Sequence, residues 1–161
     1  MRDVEWGDQY LLGIEQFDEH HRHLFGLLDG VYQLFGSRTS GDGELVRILD
    51  SLAEYATYHF TLEESWMRKL GYPKQEEHLL EHERFARRLS EFNQHFKDGT
   101  AHLTLEILSF LRGWLLNHIL KIDAEYASFI RKGPICEGTS PDLIESARTG
   151  EPGRSLAMTA D

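Results

Sequence analysis

The sequence predicts an all-α fold, an antiparallel up-down-up-down four-helix bundle, and three observations carry that reading. Apolar residues recur every three to four positions through four long segments, which is the period of one helix face. Short glycine-marked connections separate the segments, at Gly36, Gly41-Asp42-Gly43, Gly71 and Gly99, with Gly133-Pro134 closing the last. No segment alternates with strand period. Four long helices joined by short loops place neighbours antiparallel.

Residues 1–17 hold Trp6, Tyr10, Leu11, Leu12, Ile14 and Phe17 without a sustained period. They are read as an arm packed over the bundle. Asp18 is taken as the N-cap of the first helix, whose apolar face runs His21, Leu24, Phe25, Leu28, Val31, Tyr32 and Phe35. Asp42 caps the second helix, which carries Leu45, Ile48, Leu49, Leu52, Ala56, His59, Glu63, Met67 and Leu70 on its inner face and stops at Gly71. Tyr72-Pro73 reopens the chain. The third helix then sets His78, His82, Phe85, Leu89, Phe92 and Phe96 on one side. The fourth presents Leu105, Leu108, Leu111, Leu115, His118, Ile122, Tyr126 and Phe129. The expected domain is thus a bundle over residues 1–132, arm included. Residues 133–161 hold three prolines and no clear stripe, and are expected to form a loosely docked or disordered tail.

Polar residues interrupt every one of these apolar stripes. His21, His59, Glu63, His78, His82 and His118 stand where core leucines belong, and burying such groups without partners is costly. In a bundle each inward stripe faces the others, so the six converge. His78 and His82, four residues apart, point the same way about 6 Å apart along the axis. Asp123 joins the set less directly. It follows His118 by five residues, about 140° around an α-helix, and reaches the same centre only if the helix is adjusted there. Five imidazoles and two carboxylates exceed the needs of one tetrahedral zinc. They suit two six-coordinate ions bridged by carboxylate, and the nitrogen-rich set suits iron. The familiar di-iron bundle uses Glu-x-x-His pairs and is richer in carboxylate. Fewer carboxylates stabilise highly oxidised iron less, which favours mild, reversible oxygen chemistry. His20 and His23 fall off the stripe and are read as solvated or as outer neighbours of the centre; Glu64 is read as a solvated neighbour of Glu63.

The motifs Trp6, Gly13-Ile14, Phe17-Asp18-Glu19-His20-His21, then His59-Phe60-x-x-Glu63-Glu64, His78-x-x-x-His82-x-x-Phe85 and Trp114-x-x-x-His118-Ile119-x-x-x-Asp123 resemble those of the bacterial hemerythrins. The resemblance covers residues 6–130 or so and leaves the tail outside. It implies a non-haem di-iron, oxygen-binding bundle with two iron ions per chain. His78, His82 and His118 would bind one iron, and His21 and His59 the other. Glu63 and Asp123 would bridge them beside an oxo or hydroxo group. The two-histidine iron would keep a position open for dioxygen, in a pocket lined by Phe60, Trp114, Leu115 and Ile119. One departure stands out: relatives usually carry Gln where this chain has His20. Either His20 or His21 is then open as the ligand, and stripe position favours His21.

Charge and composition narrow the function classes. A formal net charge of -10 and a pI near 5.3 argue against nucleic acid or an anionic membrane as partner. A single cysteine, Cys136, leaves no intramolecular disulfide and fits a reducing cytoplasm. The first residues lead into no apolar stretch, so no signal peptide is expected, and no run approaches the roughly 18 residues of a membrane span. The expectation is a cytoplasmic, monomeric oxygen carrier, store or delivery protein rather than an enzyme. The alternative is a sensor of oxygen, nitric oxide or iron that acts through a protein partner docked on the C-terminal tail.

Overall fold

The computed structural model describes residues 5–36, 42–99 and 104–132. Four helical rods make the bundle: α1 (Glu15–Gly36), α2 (Asp42–Leu70), α3 (Gln75–Lys97), and a last rod built from α4 (Leu105–Asn117), a π-helical segment (His118–Asp123) and α5 (Ala124–Lys132). α2 packs against both α1 and α3, and α1 against α4. Leu24, Leu28, Leu49, Leu52, Leu89, Leu108 and Leu111 fill the core between them, each at most 3% exposed. These are the stripe residues, so the helical period did predict the buried face. It erred at the ends of stripes: Phe35 and Leu105 are exposed, because each lies in a terminal turn where fewer rods surround it.

The first helix begins earlier than expected. Asp18 is in its first turn rather than at the cap, and its carboxylate accepts the backbone N–H of Leu12 at 2.6 Å and of Gly13 at 3.0 Å. The acidic side chain therefore serves the N-terminal end of the helix as an N-cap would, but ties down the arm instead of the helix's own first turn. The arm itself packs as expected: Trp6 meets Phe25 edge-on at 5.1 Å, and Tyr10 lies 4.7 Å from the same ring. Arg131 from the last rod donates to the carbonyl of Leu12 and pins the other side.

Gly71 ends α2 with φ of 65°, a left-handed conformation that leaves glycine unstrained. Thr104 caps α4, its hydroxyl accepting the Ile107 N–H at 3.3 Å, a cap that apolar periodicity alone does not reveal. Gly30 lets α1 and α2 close up, since a Cβ there would stand 3.3 Å from Ile48 Cδ1. The expected Asp42 cap and the whole tail lie outside the described side chains.

Candidate metal centre

All seven expected donors are buried and meet in the bundle core. His21, His59, Glu63 and Asp123 are 0% exposed, and His78, His82 and His118 are 2%. α1 supplies His21, α2 supplies His59 and Glu63 one turn apart, α3 supplies His78 and His82, and the π-helical segment supplies both His118 and Asp123. The π-helical turn, closed by i→i+5 bonds, is the adjustment the five-residue spacing required. It brings Asp123 Oδ1 to 3.1 Å from His118 Nε2. It also turns Ile119 fully inward and leaves Ile122, expected on the inner face, only half-buried.

The donor atoms form two groups that share both carboxylates. Glu63, His78, His82, His118 and Asp123 make one; His21, His59, Glu63 and Asp123 make the other. Within each, one atom per residue lies within 4.8 Å of all the rest. In each group two imidazoles aim Nε2 at Nε2: His21 and His59 at 3.1 Å, His82 and His118 at 3.0 Å. Asp123 Oδ1 is also 3.1 Å from His78 Nε2, and Glu63 Oε2 is 3.4 Å from His82 Nε2. Despite this crowding, both oxygens of Glu63 and of Asp123 lack a hydrogen-bond partner among the described residues. Orphaned carboxylate oxygens in a dry core are expensive, and lone pairs converging on shared points are what bound cations satisfy.

The electrostatics agree with that reading. Burial, and the neighbouring Asp123 charge, push the Glu63 carboxyl up, but His59, His78 and His82 outweigh them and hold it below the ordinary carboxylate range. Asp123 likewise opposes its burial through His118, His21 and His78, and stays well below its ordinary value. Both groups are thus ionised. Burial drives His59 down to about 3 against the pull of Glu63, so it is neutral with a free lone pair. Burial also lowers His118. His78 goes the other way: burial opposes its charging, yet Asp123 and Glu63 raise it to about 9.

Among the neighbours of the cluster, Glu64 departs from the sequence expectation, while His20 takes the outer-neighbour reading and His23 the solvated one. Glu64 is not merely solvated: its Oε1 lies 3.0 Å from His82 Nδ1, on the far side of the ring from the cluster. His20 is 7% exposed rather than solvated, with Nδ1 3.4 Å from His59 Nδ1. Tyr55 and Tyr58 flank its ring. His23 is exposed, against Tyr55. Tyr126, fully buried beside His78, has a hydroxyl without a partner among the described residues. Tyr126 stands on the expected inner stripe, but no stripe argument singles out the contacts of Glu64, His20 and His23.

Of the expected oxygen-pocket residues, Phe60 stacks on His82 at 3.9 Å and Trp114 on His118 at 4.3 Å. Both rings therefore cover the three-histidine group. Phe60, Trp114 and Leu115 also line a small apolar cavity of about 10 Å³ with Leu28, Leu52 and Phe85; Ile119 is buried but is not in that lining.

The Hemerythrin HHE cation binding domain family matches residues 12–130. A bacteriohemerythrin of Clostridium acetobutylicum is 35% identical over 124 residues, which cover 75% of this chain and 96% of that one. A bacteriohemerythrin of Pseudomonas aeruginosa is 28% identical over 131 residues, 81% of this chain and 84% of that one. A myohemerythrin of Theromyzon tessulatum is 27% identical over 122 residues, 76% and 89% respectively. Among solved structures, wild-type hemerythrin superposes with a TM-score of 0.71 at 26% identity, covering 77% of this chain and 95% of that one. With a helical bundle, a buried His/Glu/Asp cluster and these matches in hand, the chain belongs to the hemerythrin family, whose members bind oxygen at a di-iron site.

Proposed function

We propose that this chain binds dioxygen reversibly at a pair of irons, for carriage, storage or delivery. His78, His82 and His118 would hold one iron and His21 and His59 the other, with Glu63 and Asp123 shared between the two. The observation that carries the assignment is the sharing of both carboxylates by two otherwise separate donor groups. When bound, the iron pair supplies the electrons and the free coordination position that reversible oxygen binding needs.

The chain's own residues prepare the site. The two-histidine group has one imidazole fewer, which leaves room at that ion for a small ligand. Phe60, Trp114, Leu115 and Ile119 keep water from the cluster, and a dry surround slows loss of the reduced state. Glu64 fixes the ring of His82, and His20 does the same for His59. Residence in the cytoplasm and a monomeric state accompany the proposal. The single cysteine supports the first, and the scattering of exposed Leu11, Tyr58, Leu80 and Leu120 over separate elements supports the second.

The test is the optical spectrum of anaerobically reduced, iron-loaded protein before and after air, with metal analysis alongside. Reversible charge-transfer bands and about two irons per chain are expected. One zinc per chain, or immediate irreversible oxidation, would rule the carrier reading out.

A further inference from the structure

A second polar cavity, of about 140 Å³, opens beside the α2–α3 turn and runs in to His78. Tyr72, Lys74, Glu77, Glu81 and Glu125 line it together with Ile122. Its wall is acidic: three carboxylates face one lysine, and Lys74 is paired with Glu125 at 2.5 Å across the mouth. Glu81 is also held by Arg84 at 2.6 Å, which leaves Glu77 as the lining carboxylate without an ion pair among the described residues. At the inner end His78 is 98% buried by its 2% exposure, and its Nδ1 has no hydrogen-bond partner among the described residues. Nε2 of the same ring faces Asp123 and Glu63, at 3.1 and 3.7 Å. The two nitrogens lie on different edges of the ring, and His78 both lines the cavity and meets the carboxylates through Nε2. A metal-ligating imidazole ordinarily donates its other N–H to a carboxylate, a carbonyl or water. Here water or a hydrated ion in the cavity is the partner available.

We propose that this cavity is the route by which iron(II) reaches the centre. In it Glu77, Glu81 and Glu125 collect the hydrated divalent cation and pass it, beside His78, to Glu63 and Asp123. The inference rests on the di-iron reading above and adds to it a site and a direction of loading. The ligand chemistry forms a gradient. Exposed carboxylates suit a hydrated divalent cation, and imidazoles with two bridging carboxylates suit iron that has shed its water. The field is continuous along the way: after burial, the charges of Glu125, Glu77 and Asp123 together push the Tyr72 hydroxyl up to about 12. The Lys74–Glu125 pair is half-exposed on both sides and parts at little cost, so it limits passage without blocking it. A cleft lined by one sign of charge raises the arrival rate of the opposite ion, and salt weakens the effect.

The test uses the full chain freed of iron, mixed anaerobically with iron(II) at low salt. Samples are quenched with a ferrous chelator at intervals to count protein-held iron. The Glu77→Gln/Glu125→Gln double variant is expected to load about tenfold more slowly. Lys74→Gln, which frees Glu125 and removes the opposing charge, is expected to load faster. Both should finish with the same iron content as the parent, and high salt should bring the three rates together. Equal rates in all three chains would overturn the route while leaving the di-iron reading intact. Slowing in both variants alike would overturn it too, because the two changes alter charge in opposite directions. A lower final iron content in the double variant would make the glutamates ligands rather than a passage. Failure of the parent itself to take up iron would sink both the route and the reading beneath it.

Discussion

His118 and Asp123 meet at 3.1 Å, Nε2 to Oδ1, although five residues of one rod separate them. An α-helix would put them about 140° apart. The π-helical segment His118–Asp123 removes that offset and turns an outward aspartate into a buried one. π-helical turns are uncommon and cluster at functional sites. This one serves to place a carboxylate within reach of His21, His78 and His118 together.

Asp123→Asn should therefore keep the helical fold and lose the centre. The amide has nearly the same shape but no charge with which to bridge two cations. Iron content is expected to fall from about two per chain to one or fewer. Far-ultraviolet circular dichroism and metal analysis on the same sample check it; an unchanged iron content would remove Asp123 from the ligand set.

Adjacent residues on α1 take opposite roles. His21 points its Nε2 at His59 Nε2, whereas His20 reaches His59 from the Nδ1 side. His21→Ala should lose iron from the two-histidine group and abolish reversible oxygen binding. His20→Gln should retain both irons and change only the rate of autoxidation. Iron stoichiometry and the oxygenated spectrum of both variants decide; the reverse pattern would exchange the two assignments.

Glu64 holds His82 through Nδ1 at 3.0 Å, and against the lowering effect of burial Glu63 and then Glu64 raise the imidazole above its ordinary value. Glu64→Ala should weaken iron at the three-histidine group by roughly 10–100-fold, the usual cost of losing such an outer partner. Competition with a chelator measures it, and an unaltered affinity would return Glu64 to the status of a bystander.

Removing iron should make stability depend on pH. His78 is raised to about 9 in the folded chain, so its contribution is complete below its ordinary 6.5 and is lost as pH rises through 9. His59 is lowered to about 3, so folding loses stability as pH falls below 6.5 and the unfolded chain takes up the proton. The iron-free protein is expected to be most stable near pH 6.5, each limb falling by at most about 1.4 kcal/mol per pH unit for one proton. Iron displaces the His78 proton, so loading at pH 7 should release protons and flatten the alkaline limb. Melting curves of both forms from pH 5 to 9.5 test this; identical profiles would contradict a shared buried site.

Deletion of residues 134–161 should leave the oxygenated spectrum unchanged. All seven candidate donors and the last described helix lie at or before Lys132. A folded truncation without the di-iron bands would assign the tail a part in the centre.

Four rods, most of their buried faces and the placing of six of the seven candidate donors on those faces are legible in the sequence. Helical period is a local property, and a histidine or glutamate in a leucine's place shows without any knowledge of neighbours. Asp123 was visible as a candidate, but whether it arrived depended on a backbone adjustment that side-chain spacing requires and does not supply. The expected start of α1 falls four residues late, because Asp18 looks the same capping a helix as it does gathering the N–H groups of Leu12 and Gly13. The partners of His20 and Glu64 emerge from packing between helices, since each meets a ring on another rod. It alone joined Tyr72, Glu77, Glu81 and Glu125 around one cavity. Those contacts cross between rods, and the angle and depth at which rods pack are set by the whole core rather than by any one stripe.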